Sequence, residues 1–352
     1  MKYIFIDWQL LLPAIIILIL GLAAIFSISA PLGFNQLIFA LLGLIAFFVF
    51  ASFPYISHRY LVWIYAVISL FLLILPFLFG SLTRGSVRWL QIGSLTLQPS
   101  EIIKPFLIII FSHFLSSKIN LFRYSLLLIL PVLLIFKQPD LGSTLVIIAI
   151  WLGILITAKL PLFSLMMIVF LGLIAAPLAW HQFQPYQQQR IISFLNPYAD
   201  PKTSGYHSIQ SIIAVGSGGL VGKGLGLGSQ SQLNFLPERQ TDFIFASLAE
   251  SLGFFGSISL LLAYFFLLKR LLLISRQAPD QFGRLLGAGI FTLIFFQFTV
   301  NVGMNLGLLP ITGITLPLVS SGGSSLLTIA IALGLGHNLS QHTRSKSAII
   351  LL

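Results

Sequence analysis

Apolar residues run through the chain in blocks close to the length of a bilayer crossing, separated by short polar breaks that hold Gly, Pro and the charged side chains. The blocks predict ten membrane-spanning helices near 9–28, 36–53, 60–80, 100–117, 123–136, 142–158, 161–180, 242–268, 283–305 and 321–337. Pro139 and Asp140 divide one long apolar region into the fifth and sixth of these. The first block follows Lys2 and ends in "SISA", a faint likeness to a cleavage site. It is too long for a signal-peptide core and many blocks follow, so it reads as the first span. The break at 181–241 differs in kind: it is rich in Gly, Gln, Ser and Pro, mostly unsuited to a helix, and too long for a passive connector. The expectation is an all-α polytopic membrane protein, one transmembrane domain over residues 1–352 with a large loop between spans 7 and 8. No internal repeat and no soluble domain is visible.

Composition agrees. Of 352 residues, 57% are hydrophobic and 8% charged, more apolar surface than a water-soluble chain of this length can hide. Cysteine is absent, which excludes a disulfide framework, a thiolate metal site and a thiol nucleophile. His58, His113, His181, His207, His337 and His342 show no metal-ligand spacing on one face. The formal net charge of +11 would point to nucleic acid in a soluble chain; here it is sorted by membrane side, and no nucleic acid is expected. Arg59, Lys118, Arg123, Lys159, Lys269, Arg270, Arg276 and Arg284 fall in one set of loops, with Lys2, Arg344 and Lys346 in the tails. That side is predicted to be cytoplasmic, with both termini inside. The opposite side still holds Arg84, Arg88, Lys137, Arg190, Lys202, Lys223 and Arg239, with Lys104 just inside the fourth span. Anion binding explains cations where the positive-inside rule disfavours them. Free translocation of a long loop covers Arg190 to Arg239 but covers Arg84 and Arg88 less well.

Four stretches carry candidate chemistry. In "RGSVRWLQIGSLTLQPSEIIKP" (84–105), two arginines and Trp89 precede a helix start where Ser100 is a plausible cap and Glu101 and Lys104 share one face. Arginine forks suit phosphate oxygens, and an indole suits a sugar face or the membrane interface. The plainer reading is a capped helix with a structural ion pair. In "KQPDLGST" (137–144), Asp140 reads best as a cap. The glycine-rich run from Gly216 to Gly228 matches neither a P-loop nor a dinucleotide fingerprint. In "LPERQTDFIFASLAE" (236–250), Thr241 or Asp242 is placed to cap the eighth helix, and Glu250 lies deeper, where a carboxylate must find an internal partner. Ala246, Ala249, Gly253 and Gly256 form a small-residue stripe suited to helix packing. Lastly, residues 301–325 gather prolines, Gly322, Gly323, Ser320 and three further serines, and predict a broken, re-entrant segment.

Together, "RWLQIG…QPSEIIKP", "KQPDLGST", "GYHSIQSIIAVGSGGLVGKGLG", "LPERQTDFIFASLAESLGFFG" and "LPLVSSGGSS" resemble the shape, elongation, division and sporulation (SEDS) family, in order, from residue 84 to 325. "GSQSQLNFLPE" and "DWQLLL" resemble its elongation branch more than its division branch. Two departures stand out: Gln240 where the family usually has His, and Ser321 where it usually has Tyr. The resemblance implies an enzyme of the bacterial cytoplasmic (inner) membrane that polymerises lipid II into peptidoglycan, with its site facing the periplasm or cell exterior. It implies Asp242 as the essential acid, with Trp89, Glu101 and Lys104 lining the same cavity. Implied partners are lipid II, membrane lipids, the elongation machinery and a class B penicillin-binding protein.

The implied chemistry fits the residue types. Lipid II is an α-linked sugar on undecaprenyl diphosphate and the polymer is β-1,4 linked, so the anomeric carbon inverts. A diphosphate leaves without an acid if cations stabilise it, so one carboxylate suffices: Asp242 as general base for the acceptor hydroxyl. Arg84, Arg88 and Lys104 are the candidates to hold the diphosphate, and Glu238, Thr241, Glu250, Ser320, Gly322 and Gly323 support the site. Glu238 is also placed to help hold a divalent cation such as Mg or Mn, although no motif demands one. Rival readings are a lipid II flippase, which would place polar groups through the whole membrane thickness, and a scaffold that needs no acid at 242.

Overall fold

A computed structural model describes residues 6–83, 86–92, 95–116, 121–160, 162–197, 204–233 and 235–350. Helices α1 (Trp8–Ile28) and α2 (Ala30–Ser52) form a hairpin, followed by short α3 (Tyr55–Tyr60) and α4 (Val62–Phe79). Strands β1 (Ser81–Thr83), β2 (Ser86–Ile92) and β3 (Leu95–Leu97) lead into α5 (Pro99–Ser116), α6 (Leu121–Lys137), α7 (Leu141–Thr157) and α8 (Leu162–Trp180). The long loop holds α9 (Pro185–Leu195), α10 (Ser204–Ser217) and α11 (Ser229–Gln232). The chain closes with α12 (Ile244–Gln277), α13 (Gln281–Asn305) and α14 (Gly323–Ile350). The ten predicted spans correspond to α1, α2, α4 to α8 and α12 to α14. Among the described residues, α1, α2, α4, α5, α12 and α13 are long and apolar enough to cross a membrane, and α6 and α7 are shorter apolar helices.

Two kinds of helix make the bundle. Along α5, fourteen residues from Pro99 to Leu115 are buried, whereas α2 exposes Leu41, Ile45 and Phe48. A helix apolar all round is stable only inside protein or in lipid, so α5 is core and α2 is periphery. Hydrogen bonds define the two ends of the bundle. At one end, Arg270 pairs with Asp7 (2.6 Å), and Asn338 Nδ2 donates to the Ala51 carbonyl (2.7 Å). At the other, Gln36 Nε2 donates to the Ser320 carbonyl (3.1 Å) and the Gln98 amide donates to Ser324 Oγ (2.8 Å). The large loop belongs to this second end.

Three features were not foreseen in full. The polar stretch after α4 is an antiparallel meander in the order β1-β2-β3, with Leu82 opposite Val87 and Leu90 opposite Leu97. The segment 181–241, expected to be mostly unsuited to a helix, contains α9, α10 and the short α11. The small-residue stripe of α12 is divided: Ala246 packs with Ala214 of α10 and Met304 of α13, whereas Ala249 and Gly253 receive the glycine-rich loop. α12 is broken at Gly253 (φ 66°, ψ −160°), and the loop accepts from and donates to the backbone groups that the break frees. Lys223 N donates to Glu250 O and Gly224 N to Ser251 O (3.0 Å each), while Phe254 N donates to Gly219 O (2.9 Å). A Cβ on Gly222 or Gly253 would collide with backbone of the other segment, so both positions need glycine for contact as well as for their positive φ.

The expected break in helix before α14 is present. Residues 306–322 are non-helical between α13 and α14, yet Ile314, Leu316, Leu318, Val319 and Ser320 are buried. Their carbonyls are taken up internally: Asn301 Nδ2 donates to Ile314 O (2.8 Å) and Tyr264 Oη to Pro317 O. Irregular backbone at such depth survives only where protein satisfies it.

Candidate active site

The start of α12 is built by its neighbours. Glu238, at φ 50°, offers its carbonyl to the amides of Thr241 (3.0 Å), Asp242 (3.1 Å) and Phe243 (3.3 Å), closing a tight turn. Thr241 Oγ1 donates to Glu238 Oε2 (3.1 Å). Ser320 Oγ donates to the Thr241 carbonyl (2.7 Å), and the Ser321 amide donates to the Gln240 carbonyl (2.7 Å). From α13, the side-chain amides of Asn301 and Asn305 both donate to the Asp242 carbonyl (3.1 and 2.9 Å).

This corrects the expectation that Thr241 or Asp242 caps the helix. The N-cap residue is Phe243, with no side-chain cap bond, and Asn305 Oδ1 accepts from the first-turn amide of Ala246 (3.0 Å). An N-cap carboxylate normally serves the helix amides. Here an asparagine 59 residues away does so, and Asp242 turns its carboxylate to a cavity instead.

That cavity, about 1570 Å³, lies at the end of the bundle where the large loop sits. Asp242, Glu238, Thr241, Arg88, Trp89, Glu101, Lys104, Gly322 and Gly323 all line it, so residues up to 235 positions apart in sequence meet in one place. Lys104 is only 1% exposed and pairs with Glu101, whose carbonyl accepts from Thr328 Oγ1 (2.8 Å). Glu101 Oε2 has no hydrogen-bond partner among the described residues. The Gly322 amide donates to Gln36 Oε1 (3.3 Å), and Gly323 lacks the Cβ that would strike the Phe39 ring.

Two predicted supporting residues stand outside the lining. Ser320 braces the wall from behind through its bonds to Thr241 and Leu316 (2.7 and 2.8 Å). Glu250 is spent on the glycine-rich loop, pairing with Lys223 (3.0 Å) and accepting from the amides of Gln230 and Ser231 (2.9 Å each). Arg84 lies outside the described residues.

Two residues matter more than the sequence indicated. Asp140 does cap α7, taking the Ser143 amide (3.1 Å), but it also accepts from Gln98 Nε2 (2.7 Å) and Ser100 Oγ (3.0 Å) and pairs with Arg88 (3.4 Å). Ser100 is thus inside α5 rather than its cap, with Pro99 at the first helical position. Burial pushes the Asp140 carboxyl up, but the Arg88 guanidinium, the Ser143 bonds and Lys104 outweigh it and hold the group below the usual carboxylate range. Arg190 is the other. It was visible only as a loop cation, because the helix that carries it, α9, leaves a weak sequence signal. Among the described residues no three of His, Cys, Asp and Glu are grouped to hold a metal ion.

The sequence model of the FtsW, RodA and SpoVE cell cycle protein family matches residues 5–345. The chain belongs to that family. Among FtsW/RodA/SpoVE proteins it is similar to the peptidoglycan glycosyltransferase MrdB of Escherichia coli K12, 39% identical over 87% of this chain and 84% of that one. It is also similar to the stage V sporulation protein E of Bacillus subtilis, 38% identical over 96% of this chain and 98% of that one. In three dimensions it resembles a chain of a peptidoglycan synthase complex that coordinates polymerization and crosslinking, with a TM-score of 0.82, 33% identity and 96% and 98% of the two chains covered. The rod shape determining protein RodA of Thermus thermophilus gives a TM-score of 0.73 at 28% identity over 97% and 98% of the two chains.

Proposed function

We propose that this chain is a RodA-like peptidoglycan glycosyltransferase that polymerises lipid II into β-1,4 glycan strands during cell elongation and rod-shape maintenance. It sits in the cytoplasmic membrane with its cavity facing the periplasm or cell exterior, partnered by a class B penicillin-binding protein. One observation carries the mechanism: the Asp242 carboxylate is relieved of capping by Asn305 and faces a cavity lined by cations. Asp242 accepts the proton of the acceptor's GlcNAc 4-hydroxyl as its oxygen attacks the anomeric carbon of the donor, with inversion. The bond to undecaprenyl diphosphate breaks, and fixed cations stabilise the leaving group. Trp89 presents a ring to the sugar, while the Glu101–Lys104 pair fixes part of the same cavity's wall.

Transport is the weaker reading, because the lining comes from the residues at one end of the bundle: 32–39, 88–104, 132–148, 181–191, 238–242 and 310–325, with Gly172. No lining residue belongs to α1 or α4, or to the far ends of α5, α7 and α12.

The test is polymerisation of labelled lipid II in detergent, with and without the partner transpeptidase, comparing native chain with Asp242→Asn. Detergent removes the two membrane sides, so only chemistry is scored. Polymer from the native complex and not from the variant supports the assignment. Polymer from both keeps the enzyme and removes Asp242 as base. Polymer from neither, with lipid II still bound, overturns the transferase reading.

A further inference from the structure

Three cations with described side chains line the cavity, and two of them are already committed. Arg88 pairs with Asp140 and Lys104 with Glu101. Arg190 has no carboxylate within ion-pair distance among the described residues. Its guanidinium lies 5.7 Å from the centre of the Tyr186 ring. It is nonetheless firmly placed. A capping box of Gln184 and Gln187 starts α9, and Tyr186 Oη (2.9 Å) and Gln187 Nε2 (3.4 Å) both donate to the Pro139 carbonyl, beside Asp140.

Gly313 shows where Arg190 points. At φ 75° this glycine leaves a bare patch of floor. The position a Cβ would occupy there is 3.5 Å from Arg190 Nη1 and 3.6 Å from Asp242 Oδ2. The two charged atoms therefore face each other across a gap no wider than the sum of those distances, yet they form no ion pair. A guanidinium that no described carboxylate occupies keeps its donors for another anion.

We propose that Arg190 holds the diphosphate leaving group, opposite Asp242 across the open floor at Gly313. The inference rests on the glycosyl-transfer reading above and adds a residue to it. The acceptor oxygen forms the new bond to the anomeric carbon and its proton passes to Asp242. The bond from that carbon to the diphosphate oxygen breaks, its electron pair stays on the diphosphate, and the guanidinium takes the developing charge. Arg88 and Lys104 then shape the wall through their carboxylate partners rather than carry that charge.

The test uses the full chain with its partner transpeptidase in detergent, as Arg190→Gln and Arg190→Lys beside native and Asp242→Asn. Two readouts are taken: lipid II polymerisation, and direct binding of labelled undecaprenyl diphosphate against the monophosphate. Arg190→Gln should lower kcat/KM about 100-fold, the scale of losing one transition-state donor. It should weaken diphosphate binding about tenfold while monophosphate binding moves far less, since a second phosphate contact is lost. Arg190→Lys keeps charge but not the fork and should fall between, and it carries the test if the glutamine variant does not fold. Asp242→Asn should bind diphosphate as native does. The inference is overturned if Arg190→Gln polymerises within threefold of native, or if its polymerisation falls while diphosphate binding is unchanged. Native chain without polymer would instead bring down the transferase reading, and this inference with it.

Discussion

Asp140 and Asp242 stand in the same sequence setting, each just before an apolar helix and each next to the same cavity, and they are used in opposite ways. Asp140 is 4% exposed and surrounded: one oxygen caps α7 and faces Arg88, the other takes Gln98 and Ser100. Asp242 is half-buried, its helix is capped from α13, and its backbone carbonyl accepts from Asn301 and Asn305. The first carboxylate is buried among donors and supports structure; the second lines the cavity, where an acceptor hydroxyl can reach it. Position before a helix does not separate these two cases. The long-range partner does.

The comparison sets an order of effects. Asp242→Asn should lower polymerisation about 10³-fold, as loss of a general base does, and leave the thermal unfolding of the detergent-solubilised protein within a degree or two of native. If that variant unfolds early, Asp242 is structural like Asp140 and the contrast fails. Asp140→Ala should do the reverse, costing about 3 kcal/mol because it strands the half-buried Arg88 and removes a cap. Its activity loss should track the lost fold and recover at low temperature. Asn305→Ala should cost about 2 kcal/mol by leaving buried groups unpaired. A crystal or cryo-microscopy structure of that variant would show whether the Asp242 carboxylate swings back to the Ala246 amide, which would explain any lost activity without unfolding.

The smallest effect is in pH. Since the folded Asp140 carboxyl titrates below its unfolded value, its stabilisation is fully present above the ordinary carboxylate range and is lost as pH falls through the lowered folded value. The gap in melting temperature between native and Asp140→Asn should therefore stay constant from neutral pH downward and close only at strongly acidic pH. A gap that closes near neutrality would remove Arg88 as the dominant partner.

The spans were legible because apolar run length is a local property, and even the interruption at Pro139 and Asp140 falls between α6 and α7. The non-helical break before α14 was legible for the same reason, from its own prolines, glycines and serines. The cap on α12 was not: it depends on α13 lying beside α12, a fact no window of residues around Asp242 contains. Arg190 was hidden because α9 is half polar and begins from a glutamine box instead of a Ser, Thr, Asp or Asn cap. The meander after α4 was hidden because its two outer strands have only three residues each. Composition placed cations on the site's side of the membrane, but which of them has a spare charge is decided by neighbouring carboxylates on other elements.

The glycine-rich loop has a thermodynamic meaning that its composition conceals. Such a run ordinarily behaves as a flexible tether, yet here it is laid backbone to backbone on the broken turn of α12 and clamped by Glu250. Its freedom has been surrendered during folding. Along its outward edge it displays Leu220, Val221, Leu225 and Leu227, all exposed. These apolar side chains are thus held out on a stiff support, and whatever apolar medium covers them has no chain to order first.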